Sequence, residues 1–362
     1  MGKFSVMVGS SVSALLLCAS VSHAASVMGS TDSAVSLSPA ATVSAPADAN
    51  GAAAPDSASG TPTLALAPPT PQASSQSNSS TAGAQAASGT QFLDDAAAAD
   101  RPAIHGFFDV PFKTAYITPR GLVVQDKGLV VQPVGGLIFD LYDATDGPVN
   151  NVSFIGGVWN SIDSAESNPA VGSYDESDPF GTVDSTLFKN FELSVTYVLF
   201  ISPQDAYKTE NNIETKFAYN DTDLLHDFAL HPYMKYFYEV KGSSTVVTGR
   251  AGGTYDIELG ITPSYTYKGI ENYPITFTFP ALITVGPKSY WGGTQDFGTV
   301  QASVDLSVPL AFVPVKFGFW HAEAGFTFVY DINHKLREAA EILGNGTDPS
   351  RFVGSAGVGV NF

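Results

Sequence analysis

The stretch RFVGSAGVGVNF, Arg351–Phe362, decides the fold of this chain. Large apolar residues alternate with small or polar ones, which is the period of two that an extended strand gives to its two faces. One face carries Phe352, Ala356, Val358, Val360 and Phe362, and the other carries Arg351, Ser355, Gly357, Gly359 and Asn361. The pattern predicts a long strand in a wall that separates an apolar medium from water.

Eleven more strand-like runs precede this one, rich in Phe, Tyr, Val, Ile and Thr and divided by Gly, Asp, Asn and Pro clusters. The clearest three keep six or seven apolar positions on one face, enough for a tilted crossing of roughly 25 Å. Strands in soluble sheets average only about 5–6 residues. The twelve predicted strands are Phe107–Thr118, Gly128–Tyr142, Val152–Ile162, Tyr174–Leu187, Phe191–Ile201, Asn211–Asn220, His231–Val240, Gly253–Tyr267, Ile275–Val285, Val300–Phe312, Trp320–Ile332 and Arg351–Phe362.

The fold predicted for residues 101–362 is therefore all-β: a transmembrane, antiparallel, up-and-down β-barrel of about 12 strands. An even number requires the strand Tyr174–Leu187, whose pattern is the weakest because Pro179 and Gly181 interrupt it. With both termini on the periplasmic side, the long connections 163–173 and 333–350 are extracellular. Aromatic residues near strand ends are expected to form interfacial girdles: Phe107, Phe108, Tyr142, Tyr265, Tyr267, Tyr290, Trp291, Phe317, Phe319 and Trp320.

The first hundred residues have a different character. Residues 1–24 have a basic start, an apolar run and Ser22-His23-Ala24, the pattern of a cleaved secretory signal peptide. Cys18, the one cysteine, lies within it, so a mature chain that starts after Ala24 forms no disulfide. Residues 25–100 are Ala/Ser/Pro-rich, contain no Lys or Arg, and are predicted to be a disordered, low-complexity segment that acts as a spacer or folds into the pore mouth.

The charges predict what the barrel interior contacts. The net charge of −18 argues against nucleic acid as a partner. If the apolar faces meet lipid, the opposite positions line the lumen, and acids outnumber bases there. An acid-lined, water-filled channel favours cations or neutral solutes, whereas the alternative is a narrow barrel filled by structural ion pairs. The lumen candidates are Asp109, Lys113, Asp140, Glu192, Glu214, Lys216, Lys235, Glu239, Asp256, Glu258, Asp305, Glu323 and Asp331, with His231 and His321.

No catalytic constellation is recognisable in the sequence. His226, His231, His321 and His334 have no evident nucleophile beside them, and the Gly pairs open no helix that could hold phosphate. The acidic stretch Asp175–Asp178 could bind a divalent cation at the cell surface, although such loops are usually only solvated. We expect no enzyme activity, no metal and no cofactor.

The final strand resembles the C-terminal strand of bacterial outer-membrane β-barrels, in which the last Phe is read by the assembly machinery. That resemblance gives the role of assembly signal to Phe362, Val360 and Val358. The region Arg101–Phe362 resembles a family of Gram-negative outer-membrane proteins known as TorF-like porins. The stretches that carry this resemblance are Pro119-Arg120-Gly121, Gly156–Ser161, Leu230–Tyr233, Gly253–Gly260 and Gly357–Phe362.

The resemblance implies a location and a fold more than an activity. Its implied partners are outer-membrane lipid, the barrel assembly machinery and small solutes. The expected function is a porin or channel for passive passage of small cationic or neutral solutes. The alternatives are a structural or adhesive barrel with no open pore and an autotransporter-like translocation unit, for which nothing upstream resembles a folded passenger.

Overall fold

The computed structural model describes residues 103–165, 172–225, 229–241, 253–270, 273–291 and 295–362. Within them, twelve antiparallel barrel strands form one closed sheet. The strand segments are β1 Ile104–Lys113, β2 Tyr116–Ile117, β3 Val123–Gln125, β4 Val130–Val131, β5 Val134–Asp143, β6 Val149–Asp163, β7 Tyr174–Leu187, β8 Phe191–Phe200, β9 Glu210–Tyr219, β10 Tyr233–Lys241, β11 Thr254–Ile261, β12 Ser264–Tyr267, β13 Ile275–Thr278, β14 Ala281–Val285, β15 Phe297–Pro309, β16 Phe319–Asp331 and β17 Ser350–Asn361.

Helices are few and short. They are α1 Thr222–Leu225, α2 His334–Ile342 and a 3-10 turn at Val315–Phe317. Across the described ranges, no helix has both the length and the apolar character to cross a membrane. The predicted signal peptide at 1–24 and the predicted disordered segment at 25–100 lie outside the described residues.

The barrel closes where its first strand meets its last. β1 pairs with β17 from Phe107 opposite Asn361 to Lys113 opposite Ser355. The backbones of Gly106 and Phe362 add reciprocal hydrogen bonds of 2.7 and 2.9 Å at the end of this seam. On its other side β17 pairs with β16 over its whole length. Closure leaves the sheet no free edge, so the backbone groups of the wall are paired within the protein.

Seventeen segments make twelve barrel strands because the hairpin β2–β3 is a separate sheet and because prolines divide three barrel strands in two. Pro263 separates β11 from β12, Pro280 separates β13 from β14, and Pro133 separates β4 from β5, since proline donates no backbone hydrogen bond. Pro179 does not interrupt β7, where it lies opposite Val158. The predicted number of strands and the strand Tyr174–Leu187 are both confirmed.

The wall has two unlike faces. In β16 and β17, Phe326 and Phe352 point outward, are 52% and 62% exposed, and stack at 5.4 Å between ring centroids. The inward face of the same seam carries His321 and Asp109, which are mostly buried on either side of Gly359. The two faces predicted from RFVGSAGVGVNF are therefore the outward and inward faces that the strand pairing produces.

The two ends of the barrel also differ. Ile104 and Phe362 lie at what we call the terminal end, together with the short turns 144–148 and 188–190. The opposite loop end carries the connections that follow β1, β6, β8, β14 and β16. The last of these includes α2, which the sequence analysis did not predict.

The girdle prediction is wrong for four residues: Phe107 and Phe319 share the inward side of β1 and β16 with Asp109 and His321, and the other two lie deeper inside the barrel. Tyr290 and Trp291 are both 0% exposed, and their rings meet edge to face at 4.6 Å inside the barrel. They belong to a loop that turns inward, and so they cannot form part of an outer aromatic belt.

We predict that Gly157→Ala weakens the wall whereas its neighbour Gly156→Ala does not. A Cβ at Gly157 would lie 2.7 Å from the carbonyl oxygen of Gly135 and 2.6 Å from the Phe180 ring. At Gly156 the nearest atom, on the Phe154 ring, is 3.5 Å away. Gly157→Ala should lower the free energy of unfolding by about 1–3 kcal/mol, as overpacking does. Urea unfolding in detergent micelles measures this free energy. Equal effects of the two variants would contradict the pairing register of β6 with its neighbouring strands.

Candidate functional site in the barrel lumen

All fourteen predicted strand positions lie on the inward face of the wall. The pairing register sets this face, since residues directly opposite each other across two strands share a side: Asp140 faces Ser153, and Lys235 faces Glu258. The set comprises Asp109 and Lys113 on β1, Asp140 on β5, Glu192 on β8, Glu214 and Lys216 on β9, Lys235 and Glu239 on β10, Asp256 and Glu258 on β11, Asp305 on β15, and His321, Glu323 and Asp331 on β16.

His231 is placed differently from the rest. It precedes β10 in the connection from α1, has a φ of 46°, and lies 3.9 Å from Asp221 at the terminal end. His226 lies outside the described residues. Val358 and Val360 take outward positions in β17, opposite Ala322 and Trp320, and Phe362 follows them at the seam.

Several inward ionisable side chains pair across the lumen wall. His321 lies 3.3 Å from Asp109, and Lys235 lies 3.9 Å from Glu258. Lys113 interacts electrostatically with Glu323. Lys235 and Glu258 are both nearly fully buried. A buried charged group is stable only when an opposite charge or hydrogen bonds compensate it. The inner wall therefore pairs its buried lysines with acidic side chains.

The lumen is accessible at the terminal end and filled at the loop end. Along β8, Glu192 near the terminal end is exposed, whereas Val198 and Phe200 are 0% exposed. Along the neighbouring β9, Asn212 and Glu210 at the loop end are likewise 0% exposed. The inner wall therefore passes from a wet vestibule to a closed interior.

Residues 114–129, which we call the plug segment, fill much of that interior. They connect β1 to the next barrel strand and contribute the hairpin β2–β3. Leu122 and Val123 are 0% exposed. Asn345, beyond α2, donates through Nδ2 to the carbonyls of Val123 and Val124 at 3.0 and 2.9 Å. A connection between two wall strands has thus folded into the barrel.

Arg120 occupies the centre of the plug segment and is 0% exposed. Its guanidinium carbon lies 4.1 Å from the centroid of the Phe237 ring, within the range of a cation–π contact. Its Nη1 donates to the Tyr290 hydroxyl, which is itself hydrogen-bonded to Asp256. Asp256 and Glu210 supply the compensating negative charge.

A second anchor joins the plug segment to β7. Tyr116 and Tyr207 donate their hydroxyls to the two oxygens of Glu176 at 2.9 and 2.7 Å. The ring of Tyr116 also contacts Trp159, 5.6 Å between centroids. Burial, and then the neighbouring carboxylate of Glu176, raises the pKa of Tyr207 well above its usual value, so this tyrosine remains a donor.

The acidic stretch on β7 is not the solvated surface loop that the sequence suggested. Asp175 and Glu176 are 1% exposed and Asp178 is 0% exposed, because β7 carries them into the closed interior. Among the described residues, no group of three or more acidic, His or Cys side chains is placed to hold a metal ion.

Sequence reasoning missed Arg120 as a functional residue. Pro119-Arg120-Gly121 served only to carry the family resemblance, although it places the one arginine of residues 114–129 just before the apolar run Leu122–Val124. Gly121 has a φ of 95°, and a Cβ there would lie 2.7 Å from the Cβ of Thr299. The turn therefore requires glycine on two counts, conformation and close approach to the wall.

No family model matches the chain, and no curated protein sequence matches it. The resemblance to TorF-like porins is thus a hypothesis. Solved structures with similar architecture include the NanC porin (13% identity, TM-score 0.36, covering 70% of this chain and 98% of that one). Another is the β domain of the Bordetella autotransporter BrkA (8%, TM-score 0.38, 72% and 99%). An outer membrane channel from Pseudomonas putida F1 is a third (11%, TM-score 0.38, 73% and 97%). Similarities this low carry no inference about function.

We predict that Tyr116→Phe destabilises the barrel more than Tyr174→Phe. Loss of the Tyr116 hydroxyl leaves one oxygen of a buried carboxylate without its donor, which costs about 1–3 kcal/mol. Tyr174 donates to Asn160 at an exposed position, where water replaces the bond. Thermal unfolding followed by circular dichroism compares the two. A larger effect of Tyr174→Phe would contradict the anchoring role of Tyr116.

Proposed function

We propose that this chain is an outer-membrane β-barrel that forms a channel for passive passage of small cationic or neutral solutes. The observation that carries the proposal is the contrast between the two faces of one closed wall. Its outer face is apolar and exposed, and its inner face is polar and rich in acids. That arrangement suits lipid outside and water inside.

The outer face supports a membrane location. Large apolar side chains project from it on eleven of the strand segments and are at least one-third exposed. One from each is Phe108, Leu137, Phe154, Val183, Val195, Phe217, Met234, Leu259, Val304, Phe326 and Phe352. Apolar surface on that scale is unfavourable in water and favourable in hydrocarbon. Outer-membrane lipid and the barrel assembly machinery are the partners we infer.

The inner face supports selectivity for cations over anions. Towards the terminal end, Asp184 lies diagonally across from Glu192 on the inward face and interacts with it and with Lys216. Two acids and one base leave a net negative mouth. Low-dielectric walls focus that field on a solute entering the vestibule.

The filled loop end favours a second candidate, a structural or adhesive barrel with no open pore. In this structure the plug segment and the inward-turned Trp291 occupy the lumen. A channel function therefore requires the plug segment to move out of the lumen, whereas a structural or adhesive barrel requires it to remain there. A conductance measurement distinguishes these two candidates.

We predict that the refolded protein gives discrete conductance events in planar bilayers, with potassium more permeant than chloride. Asp184→Asn combined with Glu192→Gln should lower the potassium-to-chloride permeability ratio by about twofold or more, because it removes two negative charges from the vestibule. The reversal potential in a salt gradient measures the ratio.

The control is Asp146→Asn, which removes one negative charge, as either single variant does, at a side chain that is 90% exposed in the turn 144–148. It should leave the ratio unchanged. Folded protein without conductance above background would contradict the channel and leave the closed structural barrel.

A further inference from the structure

We propose that Arg120 occupies a cation site in the lumen that also accepts a free guanidinium or similarly flat organic cation, and that exchange between the two releases the plug segment. The guanidinium of Arg120 is then a tethered member of the same class of ligand that, when free in solution, opens the plug. The site stands on geometry alone, whereas the opening step rests on the proposed channel function.

The site is built from the wall rather than from the plug. Phe237 comes from β10 and Asp256 from the adjacent β11, where the two residues are directly paired. Glu210 begins β9, the strand on the other side of β10. Tyr290 comes from the connection that precedes β15. None of the four side chains belongs to the plug segment, so these groups do not leave with Arg120.

Their chemistry suits a flat, delocalised cation. The Phe237 ring offers a face to the guanidinium at 4.1 Å, and Phe200 stacks behind that ring at 6.3 Å between centroids. The Tyr290 oxygen accepts from Nη1, and the carboxylates of Asp256 and Glu210 supply charge. A guanidinium gains more from an aromatic face and in-plane acceptors than a strongly hydrated ion does.

The surroundings explain why the site needs a cation. The inward positions on β9, β10 and β11 near it include Glu214, Glu239 and Glu258, all at most 4% exposed. Lys235 shares this part of the wall and lies close to Glu258. Removal of the Arg120 charge without replacement would leave buried carboxylates undercompensated. A mobile cation from solution can compensate them in place of Arg120, and its concentration drives the exchange.

Besides Arg120, several hydrogen bonds hold the plug segment: Thr114 pairs with the backbone of Gly354, and Asn345 donates to carbonyls of the hairpin β2–β3. The hydroxyl of Tyr116 reaches Glu176, and Gln301 donates to the carbonyl of Pro119. Gly121, at a φ of 95°, follows Arg120 directly. Arg120 contributes the charged link inside the lumen, so its displacement by a competing cation removes that link and begins the release of the segment.

The test uses the full-length protein in detergent micelles, with guanidinium chloride at about 20 mM against sodium chloride at equal ionic strength, well below denaturing concentrations. In Arg120→Ala, guanidinium should raise the unfolding midpoint by about 2–4 °C relative to sodium, the shift expected when a ligand fills a vacated site. In the wild type and in Lys127→Ala, an exposed cation of the same segment, the midpoint should not rise.

Arg120→Met is the companion variant, since it keeps the apolar stem if Arg120→Ala fails to fold. Adding Phe237→Ala to either variant should abolish the guanidinium shift. Equal shifts in the wild type and both Arg120 variants, or no shift in any of them, would overturn the site.

Planar bilayers test the opening step separately. Arg120→Ala should be open about tenfold more often than the wild type, a change equal to one displaced latch contact of about 1.4 kcal/mol. Guanidinium should reduce the variant's current by binding in the site, and sodium should not. A guanidinium shift in micelles with no conductance in any variant would support the cation site and contradict the channel. Conductance in both proteins without a difference between them would support the channel and contradict the latch.

Discussion

The pairing of β1 with β17 is the constraint on which the rest of the structure depends. Each backbone group of a wall strand needs a partner, and a sheet satisfies this on both flanks of every strand only when it closes. Closure fixes the register, and the register sends alternate residues inward. The apolar outside and the charged inside therefore follow from one seam. The short contact across Gly359, between Asp109 and His321, shows how closely the inner side chains follow it.

Closure also creates the problem that the plug segment solves. A twelve-stranded wall encloses more space than its own inward side chains fill at the loop end, yet less than a wide porin leaves open. Residues 114–129 turn into that space, and Leu122, Val123 and Trp291 bury apolar surface there. Because the surrounding wall is acidic, an inserted segment is best tolerated if it brings a positive charge. Arg120 is that charge, balanced by Asp256 and Glu210 and covered by Phe237.

The wall could be predicted from the sequence because it depends on local alternation. The pairing register of RFVGSAGVGVNF keeps its alternating large apolar residues on the outward face, and a slip by one residue would turn them inward. The strand Tyr174–Leu187 continues through Pro179 because the adjacent strand β6 pairs with it on both sides of the proline. The plug could not be predicted, since nothing local distinguishes a loop that turns inward from one that stays outside. Tyr290 and Trp291 have the composition of a girdle, and only their distant contacts with Arg120 and the core place them in the lumen.

The central claim is that the outward face of this closed wall meets lipid and the inward face meets water. Single cysteines at the adjacent residues Phe326 and Thr327 of β16, in a Cys18→Ser background, test it most directly. Each carries the same fluorophore in the refolded protein in vesicles. We expect brominated lipid to quench the label in Phe326→Cys and acrylamide, a neutral aqueous quencher, to quench the label in Thr327→Cys. Equal quenching of both labels by acrylamide would contradict the account.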